Sequence, residues 1–564
     1  MTRPLRFLVL CLAFLRLEAQ APAPPQEAGQ TAPAKPDERC EVSGQVLDAL
    51  TGAPLAKAEI VLHGVWQTSG GEPKEDTVVA RSDTGGRFIF RAVPPGKYNM
   101  EVERRGYVSQ SYGARGPNRP GTILSLTSGQ RLTWLVVRLT PQGVITGKVV
   151  DEDGEPLAHV QVSPMRFRPF EGSRRLAPGG YAMTDDLGEF RLHSLPPGRY
   201  YVQAVYQPMG VMSDPGIRPG SDSEPVEGYV PTFYPGTQDV ATAAQVEVAA
   251  GAEVRGLQIK LLQARTYRIR GRVINTVAGR VERRVQVFIE PRERDRSGMM
   301  WLRSGSMLDR KGNFVLRGVL PGAYYATARW FDQGGWYLGR EKVDVASSDV
   351  EDVVITIAKG PTITGRVRLE DDASADLSKV RVFLRPAEPR PMGRPTPELK
   401  EDGSFSIENV APGDYRVRLS GVPAGFYLKS ATLGENEVLE AGLTIEQVGA
   451  PGPLEIVLGR GAGQVDGVVL DEQQQPAAGA SVVLLPEPGK RKLDHLVRSV
   501  STDQNGHFSM DGIPPGEYKL FAWGEMEWGQ WQDQDFMKPF ESRGEEITIR
   551  ENSRESVRLK LLSE

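Results

Sequence analysis

Five histidines, His63, His159, His193, His495 and His507, are the first residues to test for metal chemistry in this 564-residue chain. A zinc peptidase of the carboxypeptidase kind needs two His and a Glu on the metal, two of them paired as H-x-x-E, with a further Glu as base. None of the five is followed by Glu three residues on, and H-E-x-x-H, G-x-S-x-G and G-x-x-x-x-G-K-[ST] are all absent. The segment Asp151-Glu152-Asp153-Gly154-Glu155 gathers carboxylates beside a glycine. Pro156 follows where an EF-hand wants glycine and no bidentate Glu closes the loop, so the segment reads as a solvated hairpin turn. Paired carboxylates for glycoside hydrolysis have no sequence signature, since only their separation identifies them. No catalytic residue, metal ligand or cofactor is assigned, and the chain reads as a non-enzyme, with an uncharacterised hydrolase the lowest-ranked alternative.

Aromatic side chains make a stronger pattern, because exposed planar rings stack on sugars and anchor protein partners. Three segments concentrate them: Tyr206 with Tyr229, Phe233 and Tyr234; Trp330 with Trp336 and Tyr337; and Trp523 with Trp528 and Trp531. These ten residues are the candidate ligand-binding set. The competing reading is that the rings fold back as satellite cores beneath their own loops.

The elements that position these segments are repeats. A β-prone segment centred on glycine recurs at Gly44, Gly147, Gly271, Gly365 and Gly467, spaced as single domains are. Each is followed by an acidic, Gly-bearing turn and a Phe-led strand, in which Phe88, Phe190, Phe314, Phe405 and Phe508 begin a period-two apolar face. In the second repeat, Asp186 is read as the acidic residue of that turn. A Pro-Gly turn then leads to Tyr98, Tyr200, Tyr324, Tyr415 and Tyr518, and the Phe-to-Tyr separation is ten in every copy, for example 98−88 and 518−508. A hairpin of set length would hold that spacing, because one inserted residue turns every side chain to the other face. The tyrosines are expected to bury the ring and bond the hydroxyl to backbone. Alternating strands such as Leu135-Val137-Leu139 and Val557-Leu559-Leu561 close the repeats.

The predicted fold is all-β: five tandem seven-stranded Ig-like, transthyretin-like sandwiches over 40–141, 142–263 (with an aromatic insertion), 264–359, 360–459 and 460–564. Short linkers predict a semi-rigid, elongated array of autonomous modules, the fifth sharing no interface with the first three. Residues 1–19 read as a signal peptide, with Arg3 and Arg6 before the apolar run Phe7–Leu15, and 20–39 as a Pro- and Ala-rich disordered tether. Once Cys11 has left with the signal, Cys40 is a lone thiol near a flexible start, and its sharper use would be an intermolecular disulfide. A formal net charge of −4 argues against nucleic-acid partners.

The strand-A glycine, the Asp-x-x-Gly-x-Phe turn and the Pro-Pro-Gly-x-Tyr element resemble the carboxypeptidase regulatory-like domain. The first, second and fifth repeats match best. Leu320 and Ala411 replace the first proline in the third and fourth, and the fourth lacks the element seen at Pro54-Leu55-Ala56 and Pro156-Leu157-Ala158. The resemblance implies a transthyretin-like sandwich, also grouped with starch-binding-like folds, in a bacterial secreted, periplasmic or cell-surface protein. It implies no reaction, because that module is the non-catalytic appendage of its enzyme. The resulting expectation is a binding or spacer protein whose partner is a polysaccharide or an envelope protein. The alternative is a structural accessory of the envelope, similar to multi-sandwich membrane-protein biogenesis factors. That alternative expects a C-terminal anchor, where this chain has the closing strand of its fifth repeat.

Overall fold

The computed structural model describes residues 39–65, 77–117, 119–170, 173–206, 227–280, 282, 284–292, 305–332, 335–372, 375–387, 397, 399–446 and 451–563. The expected signal peptide and all of the expected tether except Arg39 lie outside them. Strand is the dominant secondary structure of the described chain, and its α-helix is the single turn Gln534–Met537.

Each glycine-centred segment is the middle strand of a sheet. Cys40–Asp48 runs antiparallel to Arg87–Val93 and parallel to Arg131–Leu139. The same arrangement recurs around Gly143–Val150, Tyr267–Asn275, Ile363–Leu369 and Gly463–Leu470. In all five, the register places the glycine opposite the leading phenylalanine: Gly44 with Phe88, Gly147 with Phe190, Gly271 with Phe314, Gly365 with Phe405 and Gly467 with Phe508. The ring lies over the glycine. A Cβ on Gly44 would stand 2.2 Å from the Leu135 carbonyl oxygen and 2.8 Å from Phe88 Cζ, and on Gly365 2.3 Å from Leu454 O and 2.4 Å from Phe405 Cζ. Glycine is therefore demanded by close approach, both of the parallel neighbour's backbone and of the ring.

The tyrosine strands belong to the second sheet of each repeat. Gly96–Glu103, Gly198–Tyr206, Gly322–Asp332, Gly413–Ser420 and Gly516–Trp523 pair with Glu59–Gly64, Val160–Phe170, Gln286–Pro291, Arg381–Pro386 and Ser481–Pro486 respectively. This corrects the expected hairpin: the Phe and Tyr strands are not paired, and the Pro-Gly turn carries the chain from one sheet to the other. The spacing is held by a corner. Tyr98 Oη donates to Pro94 O at 2.9 Å, Tyr415 Oη to Ala411 O at 2.5 Å and Tyr518 Oη to Pro514 O at 3.0 Å, and Tyr200 makes the same bond to Pro196. The tyrosine rings are buried between the sheets with the phenylalanines, in one large apolar cluster per repeat.

Strand number varies around this plan. Three- and four-stranded sheets make up the third and fifth repeats, while the first adds short edge strands. In the fourth, Phe426–Leu433 pairs with Leu454–Arg460 and so joins the sheet of the central glycine strand. Connections between repeats are short, running from Leu139 to Gly143, Arg265 to Tyr267, Ile357 to Ile363 and Arg460 to Gly463.

The expected independence of the fifth repeat from the first three does not hold. Gln504 Nε2 donates to Ser125 O at 2.8 Å, and Ser125 N donates to Gln504 Oε1 at 2.9 Å. Ile123 N reaches Thr502 O at 3.3 Å beside them. The Gln504 side-chain amide thus acts as one peptide unit against the free edge of Leu124–Leu126, which is otherwise a ready template for strand pairing. The first and fifth repeats are in contact, so the array is not simply elongated.

Phe190→Ala should cost the second repeat about 3–5 kcal/mol, because it empties the space over Gly147. Amide hydrogen exchange in Gly143–Val150 measures this directly, and protection there should fall accordingly.

Candidate functional site

Five of the ten candidate aromatics are core residues: Phe233, Trp330, Tyr337, Trp523 and Trp531. Tyr229, Tyr234 and Trp336 are half-buried, and Tyr206 and Trp528 are exposed. In the fifth repeat, Trp523 stacks on Phe521 with ring centroids 5.3 Å apart and meets the edge of Phe540 at 5.6 Å. Met526, Trp531, Met537 and Phe540 fold over these rings and over Val483 and Leu485 as a second core on the outer face of the sheet. Trp528 remains outside, edge-on to Trp531 at 4.8 Å. In the second repeat, Phe233 packs with Met165 and Leu176, and Tyr206 meets Tyr229 edge-on at 5.2 Å. Residues 207–226, between those two tyrosines, lie outside the described residues. In the third repeat, Trp330 pairs with Tyr337, and Phe331 with Trp336, across one long hairpin. The Arg329 guanidinium lies 5.2 Å from the Trp336 ring, a cation–π contact. The three segments thus form three separate ring clusters, although the Gln530–Gln532 turn of the fifth repeat lies against Val160–Phe170 of the second.

A sequence signal for the fifth-repeat cover exists. Within Ser481–Pro486, Val482 to Pro486 form a continuous apolar run rather than an alternating one, and every residue of the strand is buried. Such a run means a strand covered on both faces.

The polar side chains at the repeat turns serve backbone. Asp83 Oδ1 accepts from Gly85 N and Arg87 N, each at 2.8 Å, and Asp503 Oδ1 accepts from Asn505 N and His507 N at 2.8 and 2.9 Å. In the second repeat this acceptor is Asp185, not Asp186, with bonds from Leu187 N and Glu189 N. Asp151 caps its own turn in the same way, accepting from Asp153 N at 3.0 Å and Glu155 N at 2.8 Å.

Sequence reasoning missed the hydroxyl that precedes the aspartate in three repeats. Ser82 Oγ donates to Leu55 O at 2.6 Å and accepts from Ala58 N at 2.9 Å. Thr184 Oγ1 bridges Leu157 O and Val160 N, and Thr502 Oγ1 bridges Ala477 O and Ala480 N. All three residues are buried, and each ties the turn before the Phe strand to the loop entering the second sheet. Leu308 and Leu399 stand in their place in the third and fourth repeats. The hydroxyl's constant place before the turn aspartate was the available signal.

Among the described residues, no three His, Cys, Asp or Glu side chains assemble as a metal site. His63 Nε2 lies 4.0 Å from Glu101, and His193 Nδ1 lies 2.8 Å from Ser194 Oγ. Cys40 is fully buried, with Sγ 3.0 Å from Thr127 O, because the central strand begins at that residue. This corrects the expected thiol at a flexible start and removes the geometry for an intermolecular disulfide. Burial, reinforced by Arg498 and Arg418, pushes the His495 imidazole down to about 4. Its neighbour Asp494 accepts from Arg385 Nη1 at 2.9 Å and also pairs with Arg418, which joins the fifth repeat to the fourth.

This assembly defines the chain as a tandem series of β-sandwich modules whose recurring turn aspartates and hydroxyls hold backbone. Residues 41–140, 144–211 and 464–561 match the carboxypeptidase regulatory-like domain. They cover the three repeats with the buried hydroxyl. The serine-aspartate repeat-containing protein D of Staphylococcus aureus strain Newman is 28% identical over 134 residues, covering 22% of this chain and 10% of that protein. The chain therefore matches about a tenth of that relative's length. Among solved structures, the minor pilin GBS52 of Streptococcus agalactiae aligns at 15% identity and a TM-score of 0.23, over 39% of this chain and 94% of that one. A streptococcal ancillary pilin aligns at 13% and 0.18, over 56% and 99%. At these TM-scores the likeness carries no argument.

Thr502→Val should destabilise the fifth repeat by about 1–3 kcal/mol, since it strands a buried N–H and a buried carbonyl, while Thr502→Ser should retain most of the stability. Denaturation of the two variants separates these outcomes. Because the folded His495 pKa lies below the unfolded value of 6.5, the unfolded chain takes up the proton first. The stability that the neutral ring supports is complete above pH 6.5 and is lost as pH falls towards 4. His495→Gln should flatten that slope in a pH series of melting temperatures.

Proposed function

We propose that this chain is a non-catalytic scaffold on the outer side of the cytoplasmic membrane, which holds surfaces at fixed spacing. The observation that carries the reading is the joining of its repeats by both short connections and hydrogen-bonded seams. Asn409 Nδ2 donates to Trp336 O at 2.8 Å between the third and fourth repeats, Asp494 links the fourth to the fifth, and Gln504 links the fifth to the first. An interface that uses side-chain donors at each seam restricts the relative motion that short linkers alone would leave. Three regulatory-like domains and turns occupied with their own backbone support a structural rather than a chemical role. The charged start and apolar run of residues 1–19 support export. The burial of half the candidate aromatics favours the scaffold over a binder that works through those loops.

Rigid spacing is measured by electron–electron resonance between spin labels at Leu187→Cys and Glu435→Cys, both exposed, in a Cys40→Ala background. A narrow distance distribution is expected. A broad one, as from freely jointed modules, would overturn the scaffold reading.

A further inference from the structure

Trp134 combines two features that folding does not ask of it. It is 88% exposed, and its backbone holds φ at 65°, a region unfavourable for a bulky residue. The position is a bulge. Between the pairs Val42–Leu132 and Gly44–Leu135 the register shifts, so Thr133 and Trp134 together stand opposite Ser43. The second and third repeats carry the same bulge, with Gly256 at φ 77° and Asp352 at φ 58°. Glycine adopts this conformation freely and aspartate tolerates it. A tryptophan there adds a conformational cost, and its ring recovers nothing from the core. Strain retained under an exposed aromatic points outward, to a ligand.

The surrounding face is basic. Ile89 lies across from Ser43, and Gln45 is flanked by Arg87 on one side and Val136 on the other. Arg91 and Arg138 extend these rows, and Arg131 stands opposite Glu41 at the end of the sheet. The four arginines are exposed, and no ion pair of theirs occurs among the described residues. In the second repeat, by contrast, Arg191 and Arg255 both pair with Glu253, at 2.7 and 2.9 Å. In the third, Arg270 pairs with Glu351 at 2.5 Å. Among the described residues, only the first repeat joins an exposed tryptophan to unneutralised guanidinium groups on this face.

We propose that the outer face of the Arg87–Val93, Cys40–Asp48 and Arg131–Leu139 sheet binds an anionic polysaccharide. The Trp134 ring stacks against a sugar face, Ser43 Oγ and Gln45 Oε1 (its Nε2 donates to Gly85 O at 2.8 Å) hydrogen-bond hydroxyls, and the arginines hold carboxylates as charge-assisted forks. Charge complementarity sets the sign of the ligand. The interleaving of polar and apolar groups sets its class: a docking helix needs a continuous apolar stripe. Here Ser43 and Gln45, on the central strand, separate Ile89 from Trp134 and Val136. The site rests on the geometry of one repeat, so it and the scaffold reading fail separately.

The test uses the full mature chain against polygalacturonate, amylose and poly-L-glutamate. Polygalacturonate should bind, more weakly as salt rises, and amylose should not. Trp134→Gly should weaken binding at least tenfold while raising the melting temperature, because glycine relieves the backbone. Arg87→Gln with Arg138→Gln should weaken binding by a similar factor. No binding of polygalacturonate, or binding unchanged in Trp134→Gly, would overturn the proposal. So would a lower melting temperature in Trp134→Gly, which would make the ring structural. Equal, Trp134-dependent binding of poly-L-glutamate would instead make the face a site for acidic polypeptide.

Discussion

The contact between a strand glycine and the phenylalanine ring laid over it organises every repeat of this chain. The glycine lets a parallel strand approach until its carbonyl occupies the place of a side chain, and the opposing ring closes the same space from the core side. Neither partner works alone. A side chain at the glycine would push the ring and the closing strand apart, and a smaller residue at the phenylalanine would leave a cavity over bare backbone. From that couple the remaining geometry follows. The ring sets where the Phe strand starts, and the corner ten residues on sets where the tyrosine enters the core from the other sheet.

Around this constant centre the repeats divide into two kinds. In the first, second and fifth, a buried hydroxyl and an aspartate make a polar lock between the two sheets, at Ser82–Asp83, Thr184–Asp185 and Thr502–Asp503. In the third and fourth, leucine replaces the hydroxyl, and Lys400 stands where the fourth repeat would carry the turn aspartate. Apolar packing takes over there: Leu308 joins the third core and Leu399 packs against the fourth. One fold is held in two ways, and the regions matched by the family model are those with the polar lock.

Much of the fold was legible because its constraints are local in register. Phenylalanine and tyrosine keep a separation of ten in every copy, and a strand's period of two turns such a separation into faces. The candidate site was less legible, since exposure depends on what a loop folds onto. Trp523 and Trp531 read as binding rings and are core, because the chain after Trp523 returns over Val483 and Leu485. Trp134 passed unnoticed inside an ordinary closing strand, for its interest lies in a backbone angle and a missing cover. The Gln504–Ser125 seam was also invisible, since nothing local marks a contact between residues so far apart in the chain. The Pro-Gly turns were misread as hairpins because spacing does not say whether two strands pair.

The account stands on the interdependence of the glycine and the ring, and a double-mutant cycle on Gly467 and Phe508 tests it most directly. There a Cβ would meet Val557 O at 2.6 Å and the Phe508 ring at 2.7 Å, so both contacts matter about equally. Gly467→Ala, Phe508→Leu and the double variant are compared through amide exchange of the fifth-repeat core in the full chain. The account predicts that the double variant loses less stability than the sum of the singles, with a coupling of about 0.5–3 kcal/mol. Additivity within about 0.3 kcal/mol would show that ring and glycine contribute separately, and would contradict it.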